Sequence, residues 1–297
     1  MGKSGNVSST FSVAAVSTWN RIPGDSWDHI SVMEEAGRDL ADVGDAVLRG
    51  WPSDRAPLRL LCFSVLGLTG SGAGRRMLNL MPSRPLDAKV LAVDLTHPDG
   101  RLQPLVDMCT EYSCFAATSA IERHPSMPDV LFHTGFVFGP TGLVLRAPKV
   151  WARSGPSITL IESIRQRYVE VFGDDAIVPV ATTELGRIGC LVEGEIDADG
   201  AVQILADRGV DIVCHPTLRT GEHPSEAADA RLAHVARTTG AVVVSACSVG
   251  ERVDTNAGGW ATQMFASGTS IWSSDGVAVD RVTEPIPNAL AWTTITR

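Results

Sequence analysis

The stretch that most constrains this chain is GRIGCLVEGEI, Gly186 to Ile196. Its apolar run, Ile188 to Val192, reads as a short buried strand that breaks into a sharp turn. A helix is predicted next, Gly200 to Asp207, and then another buried strand, GVDIVCHP, Gly209 to Pro216. Strand, turn, helix and strand in that order bury their apolar sides when the strands share a sheet and the helix covers it. The turn holds one side chain up at the end of the sheet, within reach of a small molecule. That side chain is Glu193. The architecture is a nucleophile's mount, yet a carboxylate is a poor nucleophile toward acyl carbon.

The rest of the chain repeats the pattern. Phe11 to Thr18 and Leu58 to Gly70 read as buried strands. Between them, Trp27 to Leu48 carries Ile30, Met33, Ala36, Leu40, Val43 and Val47 at helical spacing, stopped by Gly50 and Pro52. Lys89 to Asp94 reads as a short strand, Leu102 to Tyr112 as a helix, and Cys114 to Ile121 as a strand. Leu131 to Phe138 turns through GPTG, Gly139 to Gly142, into a hairpin with Leu143 to Ala147. Ser157 to Val171 is amphipathic, Ile177 to Thr182 is a strand, and a helix at Ser225 to Thr239 precedes a strand at Ala241 to Ala246. A second hairpin joins Thr269–Ser273 to Val277–Val282, and Trp292 to Ile295 is a last strand. Helices alternating with strands and hairpins give an α/β fold with mixed sheets and outer helices. No linker or low-complexity segment divides the chain, so residues 1–297 are expected to form a single domain, with its core at about 11–296.

Composition narrows the function classes. A net charge of −9 argues against nucleic acid or an anionic membrane as partner. No apolar run approaches the roughly 18 residues needed to span a bilayer. MGKSGNVSST has no apolar signal region, so a cytoplasmic protein is expected. The six cysteines form no CxxC pair and sit mostly in apolar runs, as buried hydrophobes do in a reducing compartment. No metal and no cofactor is expected. GSGAGRR, Gly70 to Arg76, lacks both the P-loop Lys-Ser/Thr and GxGxxG spacing.

Several strings, in order, resemble the nitrilase (carbon–nitrogen hydrolase) superfamily. LLCFSVLGLTG resembles the family's strand that ends in a catalytic Glu before a Leu-Thr-Gly turn. FHTGFVFGPTGLVLRAPKV resembles its hairpin leading to a catalytic Lys. GRIGCLVEGEIDADGAVQILADRGVDIVCHP resembles its strand leading to the nucleophilic Cys. ARLAHVARTTGAVVVSACSVG and SGTSIWSSDGVAV resemble the region after the nucleophile and the final hairpin. The resemblance implies a four-layer α-β-β-α sandwich, hydrolysis of amides, nitriles or carbamoyl groups, and a homo-oligomer, dimer or larger. The family's Glu acts as base, its Lys stabilises the tetrahedral intermediate, and its Cys forms a thioester.

Carried over by position, the Lys is Lys149, the Glu position holds Val65, and the Cys position holds Glu193. One carboxylate is lost and one is gained. A lone buried Lys is costly, so Lys149 is expected to pair with Glu193. Cys190 and Cys62 stand an odd number of residues from Glu193 and Val65, which turns them to the opposite strand face. Cys214, ending the next strand, is either packing or a relocated thiol. A carboxylate can serve as general acid or base, so acid–base chemistry from Lys149 and Glu193 replaces the thioester route.

Four further residues are candidates for substrate contact. Glu195 lies on the elbow, either at the pocket or complementing a helix N-terminus. His133 lies on the hairpin strand before Lys149, His215 at a strand end, and Trp151 just past Lys149. Glu122, which also ends a strand, is either at the pocket rim or structural. Two functional classes are expected: a divergent enzyme acting on a small polar nitrogen-containing metabolite, or a pseudoenzyme binding a metabolite or a partner protein.

Overall fold

The computed structural model describes residues 9–19, 29–65, 92–97, 100–151, 158–218, 225–254, 261–265 and 268–297. In chain order, β1 (Thr10–Val16) and β2 (Thr18–Trp19) precede α1 (His29–Arg49), β3 (Leu58–Cys62) and α2 (Gln103–Glu111). Next come β4 (Phe115–Glu122), β5 (Phe132–Gly139), β6 (Gly142–Pro148), α3 (Arg165–Phe172), β7 (Val180–Thr183) and β8 (Gly186–Cys190). A 3-10 turn, Glu193–Asp197, leads into α4 (Asp199–Asp207), β9 (Ile212–Thr217), α5 (Glu226–Thr239) and β10 (Val242–Asp254). β11 (Ala261–Phe265), β12 (Ser270–Trp272), β13 (Ala278–Arg281) and β14 (Leu290–Thr296) complete the set.

The strands make two mixed sheets. One has the order β14-β1-β3-β4-β5-β6; the other has β13-β12-β10-β9-β8-β7, with β11 and β2 also paired to β10. Strand alternation assigns the layers. Phe11, Val13 and Ala15 of β1 meet Ile188 and Cys190 of β8 and Ile212 and Cys214 of β9 in the core between the sheets. Ala14 and Val16 face outward onto Leu40 of α1 and Leu105 and Met108 of α2. Val213 and Val243 face outward onto Val202 and Leu205 of α4 and Leu232 and Val235 of α5. The result is the four-layer α-β-β-α sandwich of the nitrilase type. Gly135 permits the close approach of the sheets: a Cβ there would sit 2.5 Å from Cys190 Sγ and 2.8 Å from a Val192 methyl.

Strand direction fixes where the site must be. β3 and β4 run parallel, and β5 and β6 turn back antiparallel in succession. The C-terminal ends of β3 and β6 therefore share one edge with the N-terminal end of β5. β8, β9 and β10 are mutually parallel, so their C-terminal ends also share an edge. The Val65 N–H donates to the Thr217 carbonyl at 3.5 Å, which brings these two edges together.

Several sequence expectations shift. Within Lys89–Asp94, residues 89–91 lie outside the described residues, and Val93 makes an isolated bridge to Glu122 rather than a named strand. The GSGAGRR loop and Leu66–Gly70 also lie outside. Within Ser157–Val171, a 3-10 turn at Ile161–Ile164 precedes the helix proper. β10 continues past Ala246 to Asp254, and the partners it gains there, β2 and β11, were not anticipated. Their pairing is long-range, so local pattern does not announce it.

Candidate active site

The strand of the opening motif ends at Cys190, and the chain turns at Glu193 with φ +50°. A left-handed conformation costs a non-glycine residue about 1–2 kcal/mol, and something must hold it. Two buried groups do. His215, on β9, is fully buried; its Nε2–H donates to the Glu193 carbonyl at 2.9 Å, while its Nδ1 lies 2.9 Å from Ser245 Oγ. Glu195 accepts the Val192 N–H at 3.0 Å with one oxygen and the Val150 N–H at 2.7 Å with the other. One carboxylate thus ties the residue before Glu193 to the residue after Lys149. Burial pushes its pKa up to about 7, against the lowering by its backbone donors and Lys149.

Lys149 follows β6 directly. Its main chain is fixed on both sides, with its N–H donating to the His133 carbonyl at 2.8 Å and its carbonyl accepting from Ile161 at 3.2 Å. Its ammonium donates to Glu193 Oε2 at 2.9 Å. The pair is asymmetric in depth: the Lys149 side chain is 1% exposed and that of Glu193 is 24% exposed. His133, on β5, places Nδ1 3.9 Å from the same Glu193 oxygen and Nε2 3.0 Å from Ser119 Oγ. Burial lowers its pKa to about 4, so its ring is neutral near pH 7.

The remaining candidates separate cleanly. Trp151 packs toward α4: a Cβ on Gly200 would sit 3.8 Å from its ring. Glu195 is 3% exposed and engaged with backbone, the geometry of a brace. Glu122 is fully buried on the outward face of β4, bonded to Thr134 and Arg146, and so lies away from the Lys149 face. Val65 is 1% exposed in the core between the sheets. Cys190, Cys62 and Cys214 pack in that same core, and burial pushes the Cys62 and Cys190 thiols well above the usual range. The expected opposition of faces does not hold for Cys62 and Val65, which share this layer. The chain leaves strand geometry after Cys62, and alternation no longer counts faces there.

Sequence reasoning anticipated the pairing of Lys149 with Glu193 but not the main-chain contacts of His215 and Glu195. Both act on main-chain atoms of the elbow. The one available signal was a pair of buried polar residues next to a turn that must be strained. Among the described residues, no group of three or more His, Cys, Asp or Glu could hold a metal ion. No helix among them is long and apolar enough to cross a membrane.

Comparisons with known proteins agree with this architecture. No family model matches the chain. The bifunctional nitrilase/nitrile hydratase of rice, Oryza sativa subsp. japonica, is 27% identical over 166 residues. That match covers 56% of this chain and about two fifths, 41%, of the rice protein. Nit3 of Saccharomyces cerevisiae, a member of branch 10 of the nitrilase superfamily, superposes with a TM-score of 0.66 at 12% identity. It covers 96% of this chain and 90% of its own. An amidase from Nesterenkonia sp. superposes with a TM-score of 0.61 at 16% identity, again covering 96% and 90%. The two sheets with their outer helices have the nitrilase-type fold of these structures, and over about half its length the chain is similar in sequence to the rice protein.

Proposed function

We propose that this protein acts on a small, polar, nitrogen-containing metabolite of the amide, nitrile or carbamoyl kind, by acid–base chemistry from Lys149 and Glu193. The observation that carries this reading is the 2.9 Å contact between the two charged groups, with Glu193 mounted at φ +50° and open to solvent on one side. Glu193 takes a proton from a water molecule, and the water oxygen bonds to the electrophilic carbon. The Lys149 ammonium donates to the oxygen that gains negative charge. In an amide, the carbon–nitrogen bond then breaks and the nitrogen leaves with the proton from Glu193. This reading uses no thioester; Glu193 at the elbow and the packing of Cys62, Cys190 and Cys214 between the sheets support that choice.

The reading is tested by turnover of amides, nitriles and carbamoyl compounds with wild type, Lys149→Ala and Glu193→Gln. Loss in both variants supports it. Activity that survives Glu193→Gln removes Glu193 as acid or base. A second reading, a pseudoenzyme that binds without turnover, draws on Val65, an apolar residue where the family resemblance implies the base. A thermal shift with a metabolite but no turnover favours it. We also propose a homo-oligomer, dimer or larger, residing in the cytoplasm; light scattering on the purified chain tests the assembly.

A further inference from the structure

The order of depth in the site carries a statement about its ligand. It rests on the reading of the elbow as a ligand site. A molecule approaching the pair meets Glu193 first, since Lys149 and His133 are 1% and 4% exposed behind it. The local charges point the same way. Among the described residues, the carboxylate nearest the opening is that of Glu193, and it stands in front of the Lys149 ammonium. His133, 3.9 Å from the Glu193 oxygen, contributes no positive charge near neutral pH. His215 is occupied by the Glu193 carbonyl and Ser245. From these facts we infer that the site selects a compact cation with a planar array of N–H donors, an amidinium or guanidinium group, over an anion of the same shape.

The chemistry of recognition is that of a carboxylate with a planar N–H fork, in which two donors lie along the carboxylate's lone-pair directions. A ligand carboxylate faces the opposite situation. Its charge would approach the Glu193 carboxylate with the Lys149 ammonium shielded behind it and already engaged. A thiol at the same elbow position would lack the planar pair of oxygens that a carboxylate offers to such a fork. The carboxylate therefore changes what the site accepts, independently of which bond is broken there.

Three nearly isosteric probes test this: acetamidinium, acetamide and acetate, carrying charges of about +1, 0 and −1 at pH 7. Binding of each to the full chain is measured by ligand-observed NMR and calorimetry at constant ionic strength, because exposed charge effects are screened by salt. Acetamidinium is expected to bind wild type at least about tenfold more tightly than acetate, a difference of about 1.4 kcal/mol. Glu193→Gln, checked for folding by circular dichroism, is expected to bring the two within about threefold. Acetate or acetamide binding as tightly as acetamidinium overturns the charge selection and leaves the ligand site standing. Equal selectivity in Glu193→Gln overturns the role of Glu193. If none of the three probes binds, both the ligand site and the inference fall. The wild-type series decides the matter even if Glu193→Gln does not fold.

Discussion

Two ion pairs start three residues apart on one strand and its extension, and they differ in every respect that matters. Arg146 of β6 points to the outer face, where Glu122 and Tyr168 meet its guanidinium and the rings of Phe132 and Phe172 lie 5.3 and 4.8 Å from it. Glu122 is fully buried and also takes the Thr134 hydroxyl. Lys149, just past the same strand, points between the sheets to Glu193, whose side chain keeps 24% of its exposure on a strained backbone. The first pair is closed and surrounded; it joins β4, β6 and α3 in one piece. The second leaves the Glu193 side chain partly exposed and holds it there against a conformational cost. A closed pair serves structure, whereas one held open under strain is what the proposed ligand site calls for.

The comparison can be broken in order of effect. Glu122→Ala strands a buried guanidinium and is expected to lower stability by about 3–5 kcal/mol in urea unfolding. Glu193→Gln should cost less, about 1–3 kcal/mol, since water can reach that side of the pair. It should nevertheless abolish the turnover or ligand selection that Glu122 variants retain whenever they fold. If Glu193→Gln proves the more destabilising, the contrast between closed and open pairs fails. Next, Glu193→Gly should be more stable than Glu193→Ala by about 1 kcal/mol, because only glycine relieves the left-handed strain. Equal stabilities would mean that the elbow relaxes when its side chain is cut.

The smallest effect is in the pH profile, where the residues bracing and facing the open pair oppose each other. Glu195 is an acid raised from 4.5 to about 7 in the folded chain, so the folded state binds the extra proton and stability falls as pH rises across that window. His133 is a base lowered from 6.5 to about 4, so the unfolded state binds the extra proton and stability falls as pH drops from about 6.5 to about 4. Between about 4.5 and 6.5 the two slopes cancel, and wild type should show a shallow profile. Glu195→Gln should uncover the His133 slope, with stability lost on acidification, and His133→Asn should uncover the reverse. Urea midpoints measured across that range for the three proteins check the signs.

Much of this was legible in the sequence, and the illegible part has a common cause. The elbow, its helix and the next strand follow from local apolar pattern, and Lys149 and Glu193 follow from position along recognisable strings. The bracing contacts of His215 and Glu195 escaped because they are made to backbone atoms, which no residue letter encodes. Arg146 with Glu122 escaped because it joins β4 and β6 across β5, 24 residues apart in the chain. β2 and β11 escaped because each depends on the far half of β10.

Gly135 has a consequence for the whole cleft. Because the sheets meet there with room for no Cβ, the spacing between β5 and β8 is set by backbone against side chain. That contact lies two residues along β5 from His133 and, through Val192, one residue before Glu193. It behaves as a fulcrum: the two halves of the site hang from opposite sheets and share one rigid bearing point beneath them. Adding a single methyl group there would pry the halves apart, altering the reach between Lys149 and Glu193 without touching either residue.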